Sequence, residues 1–79
     1  MAAEPLERVD ALGLLCPLPV LRVAAGLRRV PVGGLVELVG DDPGILDDLP
    51  AWCEGEGHDL ESLDRDDDGL ITARVRRRS

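Results

Sequence analysis

The chain has 79 residues with one Trp and no Tyr or Phe, so aliphatic side chains must build its core. This length predicts a single domain over residues 1–79, without room for a large enclosed substrate cavity. The net charge of −7, from 16 acidic and 9 basic residues, excludes general affinity for nucleic acid, which needs many Lys or Arg contacts to phosphate.

Residues 1–5 and 77–79 are predicted to be loose ends of this domain. Met1 to Pro5 show neither the basic nor the apolar region of a secretory signal peptide. No apolar run reaches the ~20 residues that a membrane span requires. Two cysteines without an export signal favour a reducing compartment, where both stay thiols. The sequence therefore predicts a cytoplasmic protein that does not bind membranes.

In chain order, the first predicted elements are a short strand at Leu6 to Asp10 and the clearest helix of the chain. Gly13 marks a bend before the helix opens at Cys16-Pro17-Leu18-Pro19. Gly26 is predicted on the solvent-facing side of this helix, together with its arginines. The opposite side carries an apolar stripe at helical spacing: Val20, Val23, Ala24, Leu27 and Val30.

The next predicted element, Leu35 to Gly40, is apolar on both faces except at Glu37 and indicates a buried central strand. The following segment has an apolar helical face, but Pro50 would remove a hydrogen bond inside a long helix. We therefore predict a loose turn over residues 43–47, then a short helix capped by Asp48 with Pro50 in its first turn. Gly55 or Gly57 is predicted to end that helix.

Two strands are predicted to complete the chain, a weak one at His58 to Arg65 and an alternating one at Leu70 to Arg76. Between them, Asp68-Gly69 predicts a hairpin turn. The acidic stretch from Asp64 resembles the opening of a calcium loop, but its twelfth position is Val75 rather than Glu, so a simple turn is predicted. The arginines at positions 74 and 76–78 are interpreted as a solvated tail.

The element order β-α-β-α-β-β predicts the fold class directly. Two helices on one face of a four-stranded mixed sheet would bury both apolar stripes. We therefore expect an α/β fold, more narrowly a two-layer α+β sandwich.

Cys16 is the candidate reactive residue, because a thiol at a helix start can be ionised by the helix dipole. Pro17 and Pro19 can occupy the first turn, where N–H groups have no intrahelical partner, and they stiffen it. Leu18 and Val20 are then the main free N–H donors nearby, so a moderately lowered thiol pKa is expected. The alternative is a buried packing cysteine, but the double proline favours a cap that presents the sulfur.

Leucines crowd this motif at positions 12, 14, 15 and 18 and are predicted to surround the sulfur with aliphatic surface. Such a surface would either shield a labile persulfide or dock a partner protein.

The run Val9 to Pro19, VDALGLLCPLP, resembles the signature of the TusA-like (SirA/YedF) sulfur-carrier family. The resemblance continues through Asp41-Asp42-Pro43, Asp48 to Trp52 and Gly57-His58. It spans nearly the whole chain and implies the same β-α-β-α-β-β fold.

The resemblance implies that Cys16, supported by Pro17, Leu18 and Pro19, accepts sulfur as a persulfide from a cysteine desulfurase or a rhodanese. The sulfur would pass to a partner, such as a DsrE-like protein, in tRNA thiolation, molybdenum-cofactor supply or sulfur oxidation. No metal or organic cofactor is implied. Leu18 departs from the acidic residue of the tRNA-thiolating members, and Leu15 from the basic residue of some members, which bears on the choice of partner.

Other readings stay open beside this one. Cys53 is expected to be a core cysteine, with a resolving thiol for Cys16 as the alternative. His58 is expected to make a turn hydrogen bond, with a proton donor as the alternative. A metal site is not expected, since no close ligand pair is present. The chain as a whole could also be a non-catalytic interaction module or a redox protein that uses both cysteines.

Overall fold

Four strands and two helices follow one another in the order β-α-β-α-β-β, in the computed structural model that describes residues 6–79. The predicted fold, with two helices over a four-stranded mixed sheet, is confirmed. The predicted loose end at residues 1–5 lies outside the described residues. The elements are β1 (Leu6–Ala11), α1 (Leu18–Leu27), β2 (Leu35–Gly40), α2 (Ile45–Glu56), β3 (Asp59–Arg65) and β4 (Ile71–Arg76).

The strands lie in the order β1-β2-β4-β3, which makes β2 a central strand as predicted. β1 and β2 are parallel and pair from Leu6 opposite Leu35 to Ala11 opposite Gly40. β4 is antiparallel to both of its neighbours. Because β1 and β2 end side by side, the loops that lead into α1 and α2 begin next to each other. We call this end of the parallel pair the carboxyl edge.

One face of the sheet is buried beneath the helices. In β4, Ile71, Ala73 and Val75 are fully buried, while the residues between them point outward. This period-two pattern is what a half-covered sheet requires. The core is aliphatic apart from one cysteine: Val9, Ala11, Val20, Val23, Leu27, Val30, Val36, Leu38, Ile45, Leu49, Cys53, Ile71, Ala73 and Val75.

Gly26 faces the sheet, so its predicted position on the solvent side of α1 is wrong. A Cβ atom at this position would lie 3.0 Å from Val9 Cγ2 and 3.4 Å from the methyl groups of Val36. The missing side chain lets α1 approach β1 and β2 closely. Hydrophobic patterning could not reveal this, because glycine carries no side chain whose polarity marks a face.

Helix α2 begins at Ile45 and contains Pro50 in its interior, so the predicted split into a loose turn and a short helix is wrong. Burial explains the difference. Ile45 and Leu49 are 0 % exposed and Cys53 is 2 % exposed. Burial of each of the two aliphatic side chains contributes about 1.5–3 kcal/mol, and their sum equals or exceeds the roughly 3 kcal/mol cost of an interior proline. Gly57, with a φ of 78°, ends the helix in the left-handed conformation, one of the two predicted ends.

The C-terminal arginines are not a solvated tail, and the predicted loose end at residues 77–79 is wrong at Arg77. The Arg77 guanidinium donates to the carbonyl oxygens of Leu27 and Val30, and its backbone pairs with that of Gly33 and Gly34. Three further arginines bind carboxylates: Arg74 pairs with Glu37, Arg76 with Glu61 and Arg78 with Asp59. Acidic partners far away in the sequence therefore hold this segment in place.

The predicted hairpin between the last two strands is present. The Asp66 side chain accepts N–H groups of Asp68 and Leu70, and the Asp66 N–H donates to the Leu70 carbonyl. The acidic stretch thus closes a turn through hydrogen bonds of the Asp66 side chain and of the backbone, as the predicted hairpin requires. Neither helix within residues 6–79 is long and apolar enough to cross a bilayer.

Candidate functional site

Cys16 lies at the carboxyl edge, in the loop between β1 and α1 and two residues before α1 begins. Its side chain is half-buried and packs against the margin of the core. On the other side of the sulfur stands Gly44, the residue that precedes α2. The thiol therefore sits between the starts of both helices, which the sequence motif alone did not indicate.

Two consecutive aspartates after β2 hold the cysteine loop. The Gly13 N–H donates to Asp41 Oδ1 at 3.0 Å, and the Cys16 N–H donates to Asp42 Oδ2 at 2.7 Å. Gly13 has a φ of +76°, a conformation that glycine adopts without strain. The neighbouring carboxylates thus fix two points of one loop from a segment 26 to 28 residues away.

The prolines of the motif occupy the helix start, but the predicted N–H donors do not surround the sulfur. Pro17 is the residue before α1 and is joined to Cys16 by a cis peptide bond, and Pro19 lies in the first turn. The Leu18 N–H donates to the Leu15 carbonyl at 2.9 Å, so it is not free to stabilise a thiolate. One of the two donors on which the expected acidity depended is therefore already used.

The expected lowering of the Cys16 pKa is wrong. Burial, followed by hydrogen bonds to the side chains of Asp42 and Asp48 and their negative charge, raises the pKa of the thiol to about 11. At pH 7 this leaves about one thiolate in ten thousand molecules. The local motif suggested a dipole that favours the anion, whereas the folded chain brings two carboxylates that oppose it.

Gly44 leaves the space that the cysteine fills. A Cβ atom at this position would lie 3.3 Å from Cys16 Cβ and 3.4 Å from its Sγ, with Asp42 Oδ2 at 3.2 Å. Such contacts are tighter than ordinary van der Waals distances. The N-terminal end of α2 can therefore approach the thiol because residue 44 is a glycine.

The leucines next to Cys16 are exposed, as the predicted aliphatic surface requires. The exposed fractions are 50 % at Leu12, 71 % at Leu15, 48 % at Leu18 and 56 % at Leu21. We call these four residues the leucine patch. Leu14 instead turns inward and packs against the core. Exposed leucines beside a candidate reactive residue are typical of a surface that another protein covers.

Cys53 and His58 do not join Cys16. Cys53 follows Gly44 by nine residues, about 13 Å along the axis of α2, whereas a disulfide needs Cα atoms within about 7 Å. Cys53 is buried in the core, as expected.

His58 lies beyond the far end of α2, where its Nδ1 accepts the Arg78 N–H and its ring lies 5.7 Å from that of Trp52. The His58 N–H makes a helix-exit hydrogen bond to the Cys53 carbonyl, whereas its ring bonds to the backbone of a residue 20 positions away rather than within a turn.

The residues that sequence reasoning missed are Asp41, Asp42, Gly44 and Asp48. Asp41 and Asp42 entered only as part of the family resemblance, Gly44 as part of a predicted loose turn, and Asp48 as a predicted helix cap within that resemblance. A usable signal was present, because β1 and β2 belong to a β-α-β unit. Loops that follow adjacent parallel strands open at the same edge, and that edge is where binding sites of α/β sheets form.

Comparison with known proteins places this chain among sulfur carriers. The family model "Sulfurtransferase TusA" matches residues 7–77. A sulfur carrier protein TusA of Pseudomonas syringae pv. syringae (strain B728a) is 32% identical, and the match covers 98% of each chain. A second such protein, from Pseudomonas savastanoi pv. phaseolicola, is 36% identical over 73% of this chain and 76% of its own length. The crystal structure of a SirA-like protein from Desulfitobacterium hafniense superposes with a TM-score of 0.77 at 29% identity and covers 91% of this chain and 97% of that one.

Proposed function

This chain belongs to the TusA sulfurtransferase family, and on that premise we propose that it carries sulfur as a persulfide on Cys16. The observation that supports this most directly is the contrast between its two thiols. Cys16 is half-buried at the carboxyl edge with exposed leucines around it, whereas Cys53 is 2 % exposed inside the core. The cysteine that holds the transferred sulfur atom must be accessible to two different partner proteins, a donor and an acceptor. Cys16 meets that requirement.

The proposed chemistry is an exchange of one sulfur atom between thiols. The Cys16 thiolate attacks the terminal sulfur of a donor persulfide, and a new S–S bond forms at Sγ. The S–S bond of the donor breaks, the donor leaves as a thiolate, and the Cys16 proton passes to solvent. An acceptor thiolate then takes the terminal sulfur by the same step. Rates of such exchange depend on the thiolate fraction and on the leaving group. No metal or organic cofactor enters this scheme.

The partners that fit this role are a cysteine desulfurase or a rhodanese as donor and a DsrE-like or other sulfur-accepting protein as acceptor. The leucine patch supplies an apolar surface at the exchange point, where each partner can exclude water during transfer. With a net charge of −7, the chain is not suited to stable binding of nucleic acid. Sulfur relay for tRNA thiolation, molybdenum-cofactor supply or sulfur metabolism in the cytoplasm would each suit such a carrier.

The test is intact-protein mass spectrometry after incubation with a cysteine desulfurase or rhodanese and its sulfur source. We expect wild type to gain one sulfur atom that a reductant removes. Cys16→Ser should gain none, while the matched variant Cys53→Ser should still load. Absence of any gain on wild type with both classes of donor would overturn the proposal.

A second candidate function, a non-catalytic interaction module, is favoured by the exposure of the leucine patch. It differs from the carrier in what Cys16→Ser does. A carrier that loses this sulfur still binds its partner but no longer supports the cellular process, whereas an interaction module supports both. Cell phenotype and partner binding measured on the same variant therefore separate the two functions.

A further inference from the structure

Strand β1 forms one border of the sheet. Within residues 6–79 it pairs with β2 alone, in a register without interruption from Leu6 to Ala11. The strand at the opposite border, β3, differs because its register with β4 shifts between Leu60 and Ser62. Such a bulge twists an edge strand and makes it a poor template for a further strand. The unpaired side of β1, which we call the β1 flank, is therefore the regular one of the two borders.

A groove of about 250 Å³ runs along the β1 flank beside α1. It is lined by one aspartate, two apolar residues and three arginines: Asp10, Val9, Ala25, Arg8, Arg22 and Arg29. Arg29 binds Glu7 and Arg8 binds Glu37, whereas no carboxylate within residues 6–79 pairs with Arg22. On a chain whose net charge is −7, this groove is thus a basic site, and we call it the basic groove.

A second groove, also of about 250 Å³, lies on the other side of β1. It opens on the face of the sheet that the helices leave uncovered, because its β2 residues pair with the exposed residues of β4. Leu12, which is 50 % exposed, and half-buried Val39 contribute apolar surface to it. Its charged side chains are already bound within the chain: Arg8 pairs with Glu37 at 3.5 Å, and Asp10 accepts the Leu12 N–H. The β1 flank therefore lies between the basic groove and an apolar groove.

A strand that paired with β1 would place its side chains alternately in these two grooves, since successive residues of a strand point to opposite faces of a sheet. Acidic side chains would meet Arg22 in the basic groove, and apolar side chains would meet Leu12 and Val39 in the apolar groove. Hydrogen bonds between the two main chains would supply affinity, as they do wherever an extended peptide is added to the edge of a sheet. The grooves thus select the side chains of the added strand.

A second copy of this chain fits the β1 flank poorly. Antiparallel pairing of two β1 strands about a two-fold axis keeps both helical layers on the same face of the joined sheet. It therefore brings Arg22 and Arg29 of one copy toward the same arginines of the other. Like charges that face each other across an interface oppose association. The charge of the basic groove favours an acidic segment of a different protein.

We propose that the β1 flank binds an extended segment of a partner protein, in which acidic and apolar residues alternate, by adding it to the sheet as a further strand. Leu12 belongs both to the apolar groove and to the leucine patch, so a partner held here lies next to Cys16 without contacting its sulfur. The proposal does not depend on sulfur transfer, and Cys16→Ser should bind the same segment as wild type does.

The test is an NMR titration of the isotope-labelled full chain with a capped peptide of about seven residues in which glutamate and valine alternate. We expect the largest shifts of amide resonances at residues 6–12 and slower hydrogen exchange there, while the resonances of β3 stay unchanged. A matched peptide with lysine in place of glutamate should not bind. No shift with the acidic peptide, or equal shifts with both peptides, would overturn the proposal.

Arg22→Glu tests the basic groove. Its matched control is Arg28→Glu, because Arg28 is exposed at the end of the same helix but does not line this groove. Both variants change the net charge equally. Arg22→Glu should weaken peptide binding about tenfold, since repulsion replaces attraction, whereas Arg28→Glu should leave binding near that of wild type. An equal loss in both variants would reduce the effect to net charge and contradict a defined groove.

Sedimentation of the chain without peptide tests the second copy as occupant. We expect a monomer over the concentrations used for NMR. A dimer whose formation shifts the resonances of residues 6–12 would assign the β1 flank to self-association and reject the partner segment. Sulfur loading is measured on the same samples, so that failure of the carrier function and failure of peptide binding are seen separately.

Discussion

At the two ends of the helical layer, side chains of opposite charge make hydrogen bonds to backbone groups. At the carboxyl edge, the Asp42 carboxylate accepts the N–H of Cys16 just before α1. At the other end, which we call the arginine end, the Arg77 guanidinium donates to the carbonyl oxygens of Leu27 and Val30, where α1 ends and the chain turns. This is the distribution of charge that helix dipoles favour.

The consequence of the charge differs between the ends. At the arginine end, the Arg77 guanidinium binds carbonyl oxygens and holds no reactive group in place, so it only stabilises the fold. At the carboxyl edge, the same carboxylate that anchors the loop also raises the pKa of the thiol it holds. Fold stability and thiol reactivity therefore place opposite demands on Asp42, and on Asp42 alone among the residues that anchor the two ends.

The largest expected loss of stability comes from removing the Arg77 side chain at the arginine end. Arg77→Ala leaves the carbonyl oxygens of Leu27 and Val30 without their donor. We expect a loss of about 2 kcal/mol in the free energy of unfolding, which lowers the melting temperature by about 10 °C in a domain of this size. Thermal and urea unfolding measure the loss.

The control for this variant is Arg78→Ala, which removes an exposed ion pair with Asp59 and should cost less than about 1 kcal/mol. Alkylation of Cys16 should be the same in both variants and in wild type. A change in the pH midpoint for alkylation of Cys16 by iodoacetamide in Arg77→Ala would contradict the independence of the two ends.

Alkaline unfolding isolates the contribution of the thiol in the core from that of Cys16, whose pKa is raised to about 11 as well. Burial raises the pKa of Cys53 to about 11 from its ordinary 9.0. The folded state therefore keeps its proton while the unfolded state loses it, so stability falls as the pH rises above 9 and stops falling above 11. For Cys53 the loss is about 1 kcal/mol between pH 8 and pH 10.

Urea midpoints at these two pH values give the measurement. Cys53→Ala should be less stable at both but should lose less between them than wild type does. The same pH dependence in Cys53→Ala and wild type would mean that Cys53 does not carry the effect.

The smallest expected change in stability concerns one of two glycines, Gly55 inside α2 and Gly44 just before it. Gly55 has open space around the position of a Cβ atom, so Gly55→Ala should stabilise the helix by about 0.5–1 kcal/mol. It should leave sulfur loading unchanged. Gly44→Ala places a methyl group against Cys16 and Asp42 and should slow loading several-fold.

Loading rate and melting temperature, measured side by side, separate the two glycine variants. A Gly44→Ala chain that loads sulfur as fast as wild type would show that the close approach of α2 to the thiol is not needed.

The sequence by itself determined the order of the elements, the central position of β2 and the motif at Cys16, because these depend on local pattern and residue type. Alternating burial in β4 and the helical stripe of α1 could be read directly from neighbouring residues. The boundary of α2 could not, since the penalty of Pro50 is local, whereas the burial that outweighs it comes from contacts with the sheet.

Only the tertiary structure decided the chemistry of the site. The hydrogen bond that holds Cys16 joins residues 26 positions apart, and it forms because parallel β1 and β2 end side by side. The pKa of a thiol depends on the charges that lie within a few ångströms of it, whatever their distance along the chain. For this reason the motif predicted which sulfur would matter, while burial, followed by Asp42 and Asp48, raises the pKa that the motif was expected to lower.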